Sequence, residues 1–245
     1  MSDIKEYIDK ALAQEYSYIK TLSETSINTL KVYEHKHSGK KLVSIESKYR
    51  NDEVFRTLRS VNTRGYTPRI YEVTSEDEYL FVLEEYIEGE ALSNYLNDTR
   101  ELPRSRVIEI LIDLCCALEI IHSYKIVHRD IKPENVIIGK EKASLIDFSV
   151  AKMISNKSAD TVSLGTAGFA APEQYGVAQS QPTADIYALG VLANILLIGT
   201  HPTSGVPKGY LGTIIKKCTD IQTSKRYQNA WELKKALLKA KKLYK

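Results

Sequence analysis

Residues 128–138 read HRDIKPENVII, and DFS follows nine residues later at 147–149. Short apolar runs flank both polar clusters. The pattern therefore places Asp130, Lys132, Asn135 and Asp147 close together, on loops between short strands. These residue types suit phosphoryl transfer. One carboxylate accepts the proton of an attacking hydroxyl. A lysine neutralises charge on the transferring group. An amide and a second carboxylate hold Mg2+.

The pattern resembles the eukaryotic-type Ser/Thr protein kinase family, in its bacterial-like form. That family carries His-Arg-Asp-x-x-x-x-Asn followed by Asp-Phe-x at this distance. Further blocks come in the family's order. GTAGFAAPE (165–173) is similar to the end of an activation segment. DIYALG (185–190) supplies the aspartate that anchors the catalytic loop in the family. KRY (225–227) places Arg226 where the family pairs an arginine with Glu173. Lys132, two residues after Asp130, is similar to Ser/Thr rather than Tyr kinases.

The resemblance implies an α+β, bilobal protein-kinase-like fold. A helical extension is expected over 1–17, and a small β-rich N-lobe over 18–84. The hinge and a larger α-helical C-lobe follow over 85–240, with a basic tail at 241–245. ATP and Mg2+ are the implied cofactors. A nucleotide and a protein substrate, or a regulated partner protein, are the implied partners. Asp130 is expected to orient the substrate hydroxyl, and Lys132 to steady the γ-phosphate. Asn135 and Asp147 are expected to ligate Mg2+, with Phe148 as the structural residue after that aspartate. Thr166 is expected to face Asp130 and Lys132. Leu22 and Leu30 would wall the nucleotide. Glu85 and Ile87 would offer backbone groups to adenine, with Glu84 at the gatekeeper position. Arg129 would bind a phosphate on Thr161 or Ser163. Glu173, Asp185 and Arg226 are expected to be structural, and His128 to pack and bond within its loop.

The family's glycine-rich loop falls on LSETSINTL (22–30), where Ser23, Thr25 and Asn28 replace its three glycines. Glycine serves there because it reaches positive φ and lets backbone approach phosphate. An ordinary residue forced into that region is strained by about 1–2 kcal/mol. The strand lysine is also displaced: counting along KLVSIES (41–47) puts Ile45 or Glu46 at its place, with Lys48 two residues beyond Glu46. Its helix partner falls on Val54, with Glu53 one position off. Ser149 replaces the glycine after Phe148, and only a short segment separates LLIGTHP (196–202) from YLGTIIKKC (210–218). Three readings follow. The first is an atypical, slow kinase. The second is a pseudokinase that scaffolds or senses nucleotide. The third is the same chemistry on a non-protein acceptor.

Period-two and β-branched runs predict strands at YSYIKTL, TLKVYEH, KLVSIES, RIYEV and YLFVLEEY, with a turn at HSG (37–39). Helical spacing appears at residues 1–15, 51–61, 107–122, 185–198 and 229–241. The longest stripe joins Val107, Ile110, Leu111, Leu114, Leu118 and Ile121. A sheet-rich half thus precedes a helical half, with a ligand cleft expected between them. The 245 residues, 43% apolar and 27% charged, suit a soluble globular chain. A net charge of +3 is too small to imply nucleic acid. No run is long enough to span a membrane. Cys115, Cys116 and Cys218 form no metal spacing and read as buried reduced thiols, which fits a cytoplasmic location. The lysine-rich LKKALLKAKKLYK (233–245) reads first as a solvated helix face, with a membrane-surface or partner contact as the alternative.

Overall fold

Five runs of β-branched and aromatic residues between 16 and 85 pair into one antiparallel sheet in the computed structural model. The structure describes residues 3–76, 79–97, 102–154, 166–175 and 181–244. The chain divides into two units: Met1–Asn62 with Pro68–Ile87, and Thr63–Thr67 with Glu88–Lys245.

The first unit opens with helix α1 (Asp3–Glu15). Its strands are β1 (Tyr16–Glu24), β2 (Asn28–His35), β3 (Lys41–Ser47), β4 (Ile70–Glu76) and β5 (Tyr79–Glu85), in the order β1-β2-β3-β5-β4. The expected HSG turn joins β2 to β3. Gly39 supplies φ +66 there, and its N–H donates to His35 O at 2.9 Å. Helix α2 (Asp52–Arg59) buries Val54, Phe55 and Leu58. Acids in its first turn and arginines in its last suit the helix dipole.

Strand β3 is paired on both sides, which fixes its register. Val43 lies opposite Val32 and Glu84, and Ile45 opposite Leu30 and Val82. Opposed residues share a face and faces alternate along a strand, so Ile45 stands on the Glu84 face and Glu46 on the other. The strand stops at Ser47, whose hydroxyl donates to Asn28 Oδ1 at 2.6 Å and accepts from Tyr49 N–H. Lys48 is therefore outside the strand, its N–H bonded to Ile27 O.

The expected strain in LSETSINTL is absent. Ser23, Thr25 and Asn28 all avoid positive φ. The segment is the tip of the β1–β2 hairpin, closed by a bond from Thr25 N–H to Asn28 O at 2.8 Å. The Thr25 hydroxyl oxygen accepts from Ile27 N–H at 3.2 Å and Asn28 N–H at 2.9 Å. A side-chain acceptor replaces the left-handed residues that a glycine loop would use.

The second unit carries helices α3 (Leu92–Asn97), α4 (Arg104–Ser123), α5 (Pro182–Ile198), α6 (Tyr210–Cys218) and α7 (Ala230–Leu243). Its short strands are β6 (Glu90–Ala91), β7 (Ile126–Val127), β8 (Val136–Ile138), β9 (Ala143–Leu145) and β10 (Lys152–Met153). The expected stripe on α4 is buried from Val107 to Ile121. Leu111 of α4, Leu189 of α5, Ile214 of α6 and Leu237 of α7 meet around a small apolar void. Pro182 opens α5, where its missing N–H costs no bond. Gly199 closes it at φ +71, with its N–H on Ile195 O. Between α5 and α6 only a 3-10 turn, Pro202–Ser204, intervenes. Among the described residues no helix is long and apolar enough to cross a membrane. Cys115 and Cys218 are buried, but Cys116 is only half-buried, a departure from the expected three buried thiols.

Candidate active site

The loop after β7 is set by a buried carboxylate. Asp185 Oδ2 accepts from His128 N–H at 2.9 Å and lies 2.8 Å from His122 Nε2, and its Oδ1 accepts from Arg129 N–H at 2.9 Å. Burial would raise the Asp185 pKa, but the His122 bond, the nearby imidazoles and the backbone donor together hold it below the ordinary value. These bonds hold Arg129 at φ 73, a conformation an arginine otherwise disfavours. His128 is fully buried, with Nε2 3.1 Å from Ile146 O and its ring edge-on to Phe148 at 4.9 Å. Phe148 is likewise buried.

A 3-10 turn at Pro133–Asn135 then leads into the β8–β9 hairpin. Ile146 N–H donates to Asn135 O at 2.9 Å, extending the pairing one step past Val136 and Leu145. Asn135 and Asp147 therefore emerge at the same open end of one hairpin. Asp147 sits at φ 66, with Oδ1 accepting from Ser149 N–H at 3.1 Å.

Asp130 is nine-tenths buried and its bonds close a network. Oδ1 accepts from the Thr166 hydroxyl at 2.6 Å and Thr166 N–H at 3.2 Å. Oδ2 meets Lys132 Nζ at 2.7 Å and Asn135 Nδ2 at 3.1 Å. Lys132 Nζ also donates to Thr166 Oγ1 at 2.8 Å, and Asn135 Nδ2 to Asp130 O at 2.9 Å. Burial pushes the Asp130 pKa up, but the bonds from Lys132 and Thr166 outweigh it and hold the carboxyl below its ordinary value. The amide nitrogen of Asn135 is engaged inward, which leaves its oxygen as the atom suited to a cation.

Thr166 begins a segment bound on two sides. Gln174 Nε2 donates to Arg129 O at 3.0 Å, and Gln174 Oε1 accepts from Ala171 N–H at 2.9 Å. Glu173 and Arg226 form a bidentate pair at 2.6 and 2.9 Å. Thr161 and Ser163 lie outside the described residues, so the structure gives no geometry for a phosphate on either. The sequence reading missed Gln174 and His122. A lone glutamine and a histidine in a helix's last turn carry no spacing signal; only the fold brings them to Arg129 O and Asp185.

The residues expected at the nucleotide lie in the first unit. Leu22 is exposed on β1 and Leu30 half-buried on β2, paired one strand over from Ile45. Glu84 is buried in β5, Glu85 ends that strand, and Ile87 lies two residues beyond it. Val54 is buried in α2, whereas Glu53 is exposed.

Among the described residues no three His, Cys, Asp or Glu groups cluster as a metal cage. The donor set of Asn135 and Asp147 nevertheless fits Mg2+, which prefers oxygen and keeps waters and substrate phosphates in its shell.

A family model described as "Protein kinase domain" matches residues 57–243. The probable serine/threonine-protein kinase PknB of Lactococcus lactis is 28% identical over 211 residues, covering 81% of this chain and 34% of that protein. Serine/threonine-protein kinase B of Synechocystis is 30% identical over 208 residues, covering 74% of this chain and 36% of that protein. Serine/threonine-protein kinase PknA of Nostoc is 35% identical over 162 residues, covering 62% of this chain and 28% of that protein. The chain thus spans about a third of the length of these relatives.

Proposed function

Because this chain belongs to the protein kinase domain family, we propose that it transfers the ATP γ-phosphoryl group to a serine or threonine hydroxyl of a protein, with Mg2+, and does so slowly. The observation that carries this reading is the network of Asp130, Lys132, Thr166 and Asn135. The Thr166 hydroxyl donates to Asp130 Oδ1 at 2.6 Å, and this internal alcohol donor supports the reading. A substrate hydroxyl bound there would be oriented by Asp130 and deprotonated as the new O–P bond forms. Lys132, with Nζ 2.7 Å from Asp130 Oδ2, would offset charge at the same point. Asn135 and Asp147 would hold Mg2+, which supplies charge neutralisation on the phosphates.

The slowness follows from the first unit. On this reading Ile45, on the Glu84 face of β3, takes the place of the phosphate-binding lysine, and Val54 that of its helix partner; the burial of both supports it. Both are buried aliphatics and form no ion pair. The amides of Ile27 and Asn28 are turned onto Thr25 Oγ1 and withheld from phosphate. Removing a preorganised charge-stabilising donor lowers a rate by roughly 10²–10³-fold. The same observations favour a second reading, a pseudokinase that binds nucleotide or a partner without turnover.

The deciding experiment is phosphate transfer from labelled ATP to the protein itself and to a generic basic protein. Transfer with Mg2+ that falls by at least about 10²-fold in Asp130→Asn supports the enzyme. Equal labelling in both proteins, or none in the wild type, supports the second reading.

A further inference from the structure

Helix α7 has two faces. Ala230, Leu233, Leu237 and Ala240 are buried in the second unit. At about 100° per residue, Trp231, Lys235, Leu238 and Lys242 fall on the opposite side, within an arc of about 60°. Trp231 is 54% exposed and Leu238 45%. Lys239 extends the stripe toward α6, with Nζ 5.3 Å from the Tyr210 ring centroid. Two other lysines of the helix are already paired, Lys234 with Glu119 and Lys241 with Glu109. Among the described residues Lys235, Lys239 and Lys242 are not ion-paired with any carboxylate. Lys235 Nζ instead rests 3.3 Å from the Trp231 ring centroid. The single acid of α7, Glu232, is committed to the helix start, where its carboxylate accepts from Gln228 N–H at 3.0 Å.

We propose that this stripe docks on an anionic lipid surface, with Trp231 and Leu238 at the headgroup level and Lys235, Lys239 and Lys242 over the phosphates. Charge complementarity selects the occupant: three cations that, among the described residues, pair with no carboxylate match a diffuse negative surface. The apolar residues select lipid over an acidic peptide. A tryptophan and a leucine interleaved with lysines on a solvent-facing helix suit an interface that is apolar on one side and charged on the other. The docking is independent of the catalytic reading, because none of its residues belongs to the Asp130 network.

Trp231 is the only tryptophan of the chain, so its fluorescence reports from the surface itself. The protein is titrated with phosphatidylcholine vesicles and with equimolar phosphatidylcholine–phosphatidylglycerol vesicles. A blue shift on the anionic vesicles alone is expected, reversed by high salt as screening shortens. Each lysine near such a surface contributes about a fivefold factor, so Lys235→Gln, Lys239→Gln and Lys242→Gln together should weaken partitioning about 100-fold. Sedimentation with the vesicles checks the same loss in Trp231→Ala, and thermal melts confirm that these exposed substitutions leave folding intact. No shift on anionic vesicles, equal binding to both vesicle types, or binding that survives the triple substitution overturns the proposal. A shift with polyglutamate and none with vesicles also overturns it, in favour of an acidic protein partner.

Discussion

Replacing Arg226 by methionine tests how the segment carrying Thr166 is held. The Arg226 side chain is fully buried, and that of Glu173 is 16% exposed. Nη1 donates to Glu173 Oε1 at 2.6 Å and Thr183 O at 2.9 Å; Nη2 donates to Glu173 Oε2 at 2.9 Å; Nε donates to Asp220 O at 2.7 Å. Methionine keeps the stem's volume and removes these bonds together with a fifth, from Nη2 to Ile221 O at 3.5 Å. Glu173 is then a carboxylate without its cation, and three carbonyls lose this donor. Removing one partner of a buried pair destabilises by about 3–5 kcal/mol. At this chain length each kcal/mol lowers Tm by about 2–4 °C, so a fall of about 6–20 °C is expected by circular dichroism. The Glu173→Gln and Arg226→Met changes should couple, the double variant losing less than the sum by about 0.5–3 kcal/mol. Because Gln174 bonds Arg129 O from the same 3-10 turn, phosphate transfer should also fall at temperatures where the variant is still folded. A loss under about 1 kcal/mol, or strict additivity, would refute the claim that this pair anchors the segment.

Two further perturbations follow from the hydrogen-bond networks. Thr166→Val removes the hydroxyl donor from Asp130 but keeps the backbone N–H. Asp130 is held below its ordinary pKa, so its ionised form stabilises the fold above about pH 4, and that stability is lost as pH falls through the lowered value. A hydrogen bond to a charged group is worth about 1.5–3 kcal/mol, so the variant should be less stable by about that much at pH 7 and approach the wild type as pH falls through the lowered value. The acid limb of the activity profile should move to higher pH, because a donor that holds the carboxyl down is gone; a limb that does not move counts against Asp130 as the titrating base. In the first unit, Thr25→Val should release the Ile27 and Asn28 amides. With about 1 kcal/mol per bond, their hydrogen exchange should quicken about fivefold by NMR, whereas unchanged exchange would show that Thr25 does not close the hairpin.

Much of the site was legible because its chemistry depends on residue type and short spacing. Asp130, Lys132 and Asn135 lie within six residues, and a loop that short can only place them together. The helices were legible where one face is apolar, as from Val107 to Ile121 on α4. Strand β3 was legible as a strand, but its faces were not: Leu42, Val43, Ser44 and Ile45 are all buried, so no alternation distinguishes them. Telling the face of Ile45 from that of Glu46 needed the pairing with Glu84. The strain expected in LSETSINTL did not appear for a related reason. Counting glycines predicts strain only if the backbone must follow the glycine path, and Thr25 gives it another.

By itself, the sequence determined which groups are available for phosphoryl chemistry and the order of elements that carries them, because both are local properties of spacing and periodicity. Only the tertiary structure decided which of those groups touch. The Asp130–Thr166 bond joins residues 36 positions apart, and the Glu173–Arg226 pair joins residues 53 apart. Such contacts depend on how buried faces pack, which no local pattern records.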